Sequence, residues 1–225
     1  MPHGYEIFRY NIHKFDFVRE MISLYYGGKM VKFYLEDVHN TSSISYPELF
    51  KVGADSSSIF HKLFYDKYRS GWPEMESLYE RFIKKVIAPR FDEDFLYQCF
   101  PTVRFSLPAN LAVGAFHNDS EFHHPLGEIN YIVPLTNSDG TSSCWIESEE
   151  GKEDFQPMKM KVGELIIFNG NRLRHGSKVN NTGKTRVSMD FRVLPISKYN
   201  PDNDASSMTL GTKFREGEYY RRFNF

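Results

Sequence analysis

The sequence predicts a mainly β fold with helical additions: a jelly roll braced by helices gathered at its N-terminal end. Three observations carry this. After Pro89 the chain breaks into seven short runs rich in β-branched and aromatic residues, with turn signals between several of them. Before Pro89 the apolar residues recur instead at helical spacing. At 225 residues with 16% aromatics, the chain can bury a sizeable core without disulfides or metal staples.

The helical half comes first. Residues 1–13 carry no strong signal. Phe15, Val18, Ile22 and Tyr25 fall at i, i+3, i+7 and i+10, one face of a helix, and Gly27-Gly28 supplies its C-terminal cap. A short strand is expected within 30–40, followed by a polar, turn-rich stretch over 41–58 in which Ser56-Ser-Ser58 offers an N-cap. Ile59, Phe60, Leu63 and Phe64 form a second helical stripe that stops near Ser70-Gly71. Pro73 suits the first turn of a third helix, where its missing N–H costs nothing. There Met75, Leu78, Tyr79, Phe82, Ile83, Val86 and Ile87 make a stripe for packing on the outer face of the sheet, and Ala88-Pro89 ends it.

Strands are expected over 95–107, 110–117, 127–135, 143–147, 159–168, 174–179 and 185–193. Asn137-Ser-Asp-Gly140, Glu149-Glu-Gly151 and Asn181-Thr-Gly183 read as turns among them. Residues 196–213 read as a loop or mobile tail segment. With no internal repeat and no long linker, the expectation is one domain over 1–225: helical support over 1–90, jelly-roll core over 91–195, and a C-terminal loop and tail over 196–225.

Bulk properties narrow the function. Net charge is −1, pI is about 6.7, and no Lys/Arg block exceeds two residues, which disfavours nucleic acid and anionic membranes as partners. Two cysteines without a metal or redox spacing read as free thiols in a reducing compartment. No apolar run approaches membrane-spanning length and the N-terminus lacks a signal pattern, so a cytoplasmic protein is expected.

The chemistry concentrates at His117-Asn118-Asp119 and at His175. His117 ends the apolar run Leu111-Ala-Val-Gly-Ala-Phe116, and His175 follows Leu165-Ile-Ile-Phe168. Arg186 comes eleven residues later (186 − 175), inside a third strand-like run. Two imidazoles and a carboxylate on one side of a metal form the facial triad that holds iron(II) and leaves coordination positions open.

This pattern resembles the iron(II)/2-oxoglutarate-dependent oxygenases, whose His-x-Asp, distal His and later Arg lie on strands of a double-stranded β-helix. Gly163-Glu164-Leu-Ile-Ile-Phe168, His175-Gly-Ser177, Asn180-Asn-Thr182 and Arg186 are similar to the phytanoyl-CoA-hydroxylase-like branch. His117 to Leu135, Glu147, Phe168 to His175, Asn181 to Pro195 and the terminal Glu216-Gly-Glu-Tyr-Tyr220 resemble the streptomycin-biosynthesis-type oxygenases of antibiotic gene clusters. The resemblance implies a single oxygenase domain using iron(II), dioxygen and 2-oxoglutarate, with ascorbate as an accessory reductant and His117, Asp119 and His175 as ligands. It implies Arg186 as the partner of the cosubstrate's distal carboxylate, a buried charge that a planar guanidinium fork matches. Ser177 follows as a hydroxyl donor and Asn130 as a polar cosubstrate contact; Ser188, on the face of Arg186 by the period of two, is the alternative donor. Halogenases of the superfamily carry Gly or Ala in place of the aspartate, so Asp119 favours oxygenation over halogenation.

Glu121 and His123, next to the metal loop, are expected to meet substrate or orient the ligands; His124 is their neighbour, and nothing else marks a second metal site. Gln98 and Arg104, on the preceding strand, reach substrate or the keto acid if they face inward. Trp145, sharing a strand face with Glu147, is either core or substrate platform. These polar residues favour a small polar metabolite, with a cationic one among the candidates, over a fatty-acyl chain. The resemblance adds secondary metabolism. Two other readings stay open: a zinc or other divalent-metal hydrolase or isomerase on a cupin-like barrel, and a non-catalytic jelly roll that binds a small molecule.

Overall fold

A computed structural model of the chain describes residues 3–26, 33–40, 58–112, 115–208 and 211–225. Three helices precede most of the sheet: α1 (Phe17–Tyr26), α2 (Ile59–Arg69) and α3 (Pro73–Phe82). The strands are β1 (Tyr5–Arg9), β2 (Phe95–Gln98), β3 (Thr102–Ser106), β4 (Ile129–Pro134), β5 (Cys144–Ile146), β6 (Gln156–Pro157), β7 (Glu164–Phe168), β8 (His175–Ser177), β9 (Arg186–Pro195) and β10 (Tyr220–Phe223). They form an antiparallel major sheet in the order β1-β7-β4-β9-β2-β10, with β3 also on β9, and a minor sheet in the order β6-β5-β8. A mainly antiparallel β jelly roll with a few helices is the fold the sequence predicts.

Strand β9 is the spine. One of its edges pairs with β4 (Pro134 opposite Ser188, Ile129 opposite Val193). The other is shared between β3 (Ser106 opposite Arg186) and β2 (Phe95 opposite Pro195). From Arg186 to Val193 its sequence alternates polar and apolar, so the two faces separate by chemistry. Val187, Met189, Phe191 and Val193 join the helices in the largest apolar cluster, where the Phe191 ring meets Tyr79 and Phe82 at 5.4 and 6.4 Å. Arg186, Ser188, Asp190 and Arg192 point the other way, into a cavity inside the roll.

The helices brace the sheet as expected, with adjustments in detail. Ser58 caps α2, its Oγ accepting the His61 N–H at 3.2 Å. Phe60 and Phe64 are buried, whereas Leu63, counted in the same stripe, is 43% exposed. In α1 the fully buried positions are Phe17 and Met21, and Val18, Ile22 and Tyr25 flank them. The proposed cap at Gly27-Gly28 and the loop over 41–57 lie outside the described residues. After α3 the last turn widens into a π-helix over Ile83–Ile87 before Pro89 closes the segment.

Several expected strands are corrected. Within 30–40 the described part is a 3-10 helix, Leu35–Asn40, that buries Leu35 and Val38 at the i, i+3 spacing of that helix. The run 95–107 is two strands, interrupted just before β3 at Pro101, which has no N–H for a ladder. In 110–117 no strand forms among the described residues: Ala109 takes a positive φ of 59°, and pairing resumes only at a bridge between His117 and His175. Strand β7 begins at Glu164 because Gly163, at φ 90°, turns the chain first.

Three strands fall where none was expected: the two-residue β6, β1 and β10. Strand β1 carries no periodicity because it is an edge whose Ile7 and Phe8 stay about half exposed; its backbone pairing with β7 holds it. The C-terminal tail forms β10 against β2, and Phe214, Tyr219 and Tyr220 bury themselves with Leu96 and Leu194. No helix among the described residues is long and apolar enough to cross a membrane.

Candidate metal centre

The two sheets meet at the histidines. Reciprocal backbone bonds join His117 and His175 (N to O, 3.0 and 2.8 Å), extending the minor sheet by one rung and placing both imidazoles on one side. Each ring is oriented by its own chain. His117 Nδ1 donates to the Ala115 carbonyl at 2.9 Å and His175 Nδ1 to the Leu173 carbonyl at 3.0 Å. That tautomer leaves both Nε2 lone pairs free. Asp119 opens a 3-10 turn, Asp119–Phe122, secured by reciprocal bonds between Asn118 and Glu121, and its N–H donates to the Gly170 carbonyl at 2.7 Å.

Asp119 Oδ1 then sits 3.9 Å from His117 Nε2 and 3.7 Å from His175 Nε2. The three ligand atoms lie within 4.8 Å of one another, and no other such group of His, Cys, Asp and Glu occurs among the described residues. The other oxygen, Oδ2, accepts from Asn130 Nδ2 (2.7 Å) and from Arg192 Nε and Nη2 (both 3.0 Å). Burial raises the carboxyl's pKa, but Arg192, His175, His124 and the Asn130 bond outweigh it, so Asp119 stays an anion far below the usual carboxylate range. Burial lowers the pKa of His175, against the pull of Asp119, and favours the neutral imidazole that metal binding needs.

Two cavities open from this centre. A narrow one of ≈ 80 Å³ runs into the roll past Ser177, Arg186 and Ser188, with Ile132 and Phe168 as apolar walls. Arg186 is buried and donates to Ser188 Oγ at 2.8 Å. The wider one, ≈ 450 Å³, lies toward Phe116, Glu121, Phe122, His124 and Ser207. His117, Asp119, Arg104 and Arg192 line both.

No protein-family model matches the sequence. A curated relative does: the streptomycin biosynthesis protein StrG of Streptomyces griseus is 38% identical over 166 residues, 74% of this chain and 77% of that protein. The chain belongs to the StrG family. Among solved structures, EctD from S. alaskensis shares the fold at 11% identity in its apoform, with a TM-score of 0.57 over 95% of this chain and 81% of that one. EctD with bound Fe gives 14% identity and a TM-score of 0.54 over 88% and 74%.

Residues singled out from the sequence of this StrG-family chain divide into those the fold gathers at the centre and those it does not. His117, Asp119, His175, Ser177, Arg186, Ser188 and Arg104 line the narrow cavity, Arg104 paired with Asp190 at 3.2 Å. Glu121 lines the wide one and lies 3.4 Å from Arg174. Asn130, expected at the cosubstrate, has both ends of its amide engaged: Nδ2 on Asp119 and Oδ1 accepting from Gly170 N at 3.0 Å. The other three lie elsewhere. Gln98 is buried in bonds to Phe100, Thr102 and Tyr219; Trp145 donates to the Gly140 carbonyl beneath Lys178; His123 ends the metal turn in a left-handed conformation, exposed. Its neighbour His124 lines the wide cavity. Arg192 was missed, though four polar residues spaced by two on one strand (186, 188, 190, 192) were its signal.

Proposed function

We propose that this chain is an iron(II)/2-oxoglutarate-dependent oxygenase that hydroxylates a C–H bond of a small polar metabolite. The observation that carries the reading is the meeting of a three-ligand metal centre with a narrow cavity walled by a buried arginine and two serine hydroxyls. Two neutral imidazoles and one carboxylate suit iron(II) and leave positions for a chelating keto acid and dioxygen. When bound, the metal with 2-oxoglutarate and dioxygen supplies the oxidising chemistry, 2-oxoglutarate leaving as succinate and carbon dioxide.

The protein's own part is orientation and exclusion. His117 and His175 present Nε2 because their Nδ1–H groups are fixed on carbonyls. Arg186, with Ser188 beside it and Ser177 in the same wall, receives the distal carboxylate of the keto acid. Ile132 and Phe168 add apolar wall to the same cavity, Phe168 beside the His175 ring, and apolar walls strengthen charge pairing within it. Substrate enters by the wide cavity, where Glu121 and Arg104 offer opposite charges to a polar molecule between apolar Phe116 and Phe122. Asp119 fills the position that halogenases give to a halide, favouring hydroxylation. The relative named for streptomycin biosynthesis supports a place in secondary metabolism. A hydrolase on the same ligands would leave the arginine–serine wall without a task.

The test is anaerobic. Adding iron(II) and 2-oxoglutarate to the metal-free protein is expected to give a weak visible charge-transfer band of keto-acid chelation, absent with iron or 2-oxoglutarate alone. Tight zinc binding with hydrolytic turnover and no such band would refute the reading.

A further inference from the structure

Asp119 gives its two oxygens to different partners. Oδ1 faces the histidine nitrogens, whereas Oδ2 accepts three N–H bonds, two of them from Arg192. A carboxylate oxygen has two in-plane lone pairs, so Oδ2 is saturated within the protein. Arg192 is in turn held by groups that no metal or cosubstrate requires. Its Nε lies 3.7 Å from Glu128 Oε2, and its Nη1 donates to Tyr219 Oη at 3.5 Å. Glu128 is wholly buried and accepts from His124 Nδ1 (2.8 Å) and from the Tyr220 hydroxyl. The paired tyrosines of the C-terminal segment thus reach the metal ligand through one guanidinium and one carboxylate.

We propose that Arg192 is a positioning residue that holds Asp119 as a one-oxygen ligand and thereby preserves the coordination position that the keto acid takes. The inference rests on the oxygenase reading above. Carboxylates bind metals through one oxygen or two. An octahedral metal with three protein atoms has room for a two-atom chelate and dioxygen; a second aspartate oxygen would occupy part of it. The bidentate fork of Arg192 prevents this by geometry, and a point charge such as lysine reproduces it only in part.

Full-length wild type, Arg192→Met and Arg192→Lys would be titrated calorimetrically with cobalt(II), an air-stable stand-in for iron, and then, cobalt-loaded, with 2-oxoglutarate. Melting of the metal-free proteins would be recorded beside them. Arg192→Met is expected to keep cobalt affinity, or tighten it as a nearby positive charge is lost. Its 2-oxoglutarate affinity should fall about tenfold or more, the scale on which groups holding metal ligands act. Arg192→Lys should recover part of the loss. A merely structural role would weaken both affinities together, and that outcome, or unchanged 2-oxoglutarate binding, would overturn the proposal. If Arg192→Met does not fold, the lysine variant decides: wild-type 2-oxoglutarate affinity there contradicts the proposal, and a selective loss supports it. Wild type that takes cobalt but no 2-oxoglutarate would instead sink the oxygenase reading, and this inference with it.

Discussion

On the proposed reading, Arg186 is the residue on which cosubstrate binding would depend most simply. It is buried in the wall of the narrow cavity, where an anionic carboxylate needs a charge partner. Replacing it by glutamine should weaken 2-oxoglutarate by on the order of a hundredfold or more, since losing one partner of a buried pair costs roughly 3–5 kcal/mol. Half-saturation of succinate formation reads this directly, and an unchanged value would move the distal carboxylate to Arg104. Cys144 lines the same cavity, and burial pushes its thiol up to about 11, with Arg186 pulling the other way. Native protein should therefore alkylate at this thiol far more slowly at pH 8 than unfolded protein, its rate rising only as pH nears about 11; prompt native labelling would contradict the raised pKa. At this scale the sequence was most informative about residues whose spacing is fixed by the strand period. Arg186 and Ser188 share a strand face, whereas of the triad only His175 opens a strand, His117 standing at an isolated bridge and Asp119 in a 3-10 turn. Asn130 lines the narrow cavity, but its bonds to Asp119 and Gly170 were not legible, because those partners come from two loops whose approach no local pattern encodes.

Helix α3 and strand β9 are the elements that hold the site in place. Phe82 meets the rings of Tyr10, Phe15 and Phe17 at 5.1–5.4 Å, and Phe191 at 6.4 Å, the last from the apolar face of the strand that carries both arginines. Phe82→Ala should cost about 3–5 kcal/mol, the scale of a large core truncation. Leu63→Ala, in a helix stripe of the same appearance but 43% exposed, should stay within about 0.5 kcal/mol. Urea denaturation of both variants checks the contrast, and equal losses would mean that the burial pattern of α2 is wrong. The contrast also marks where sequence patterning stops. Helical spacing identifies a stripe, but the sheet that covers it decides which members are buried. Edge strand β1 and tail strand β10 were missed for the complementary reason. Both gain much of their order from backbone pairing with partners far along the chain, β7 and β2, and β1 has no buried face of its own to alternate.

For the molecule as a whole, the fold class was legible because a change of periodicity at Pro89 divides helices from strands, and that division persists in three dimensions apart from edge strand β1. What could not be read was closure. The C-terminal segment returns to the centre of the molecule, where Tyr219 and Tyr220 join the buried charges behind Asp119. The motif Glu216-Gly-Glu-Tyr-Tyr220 drew notice only through resemblance, since its tyrosines find their polar partners in Arg192 of β9 and Glu128, just before β4. The central claim, that this centre couples 2-oxoglutarate to dioxygen, can be tested without knowing the substrate, because such enzymes turn over the cosubstrate slowly alone. The measurement is mass spectrometry of succinate formed by the iron-loaded protein under isotopically labelled dioxygen. The account predicts succinate carrying one labelled oxygen atom, formed only with iron(II) and lost in Arg186→Gln at limiting 2-oxoglutarate. Unlabelled succinate, or turnover that continues after iron is removed or replaced by zinc, would contradict it.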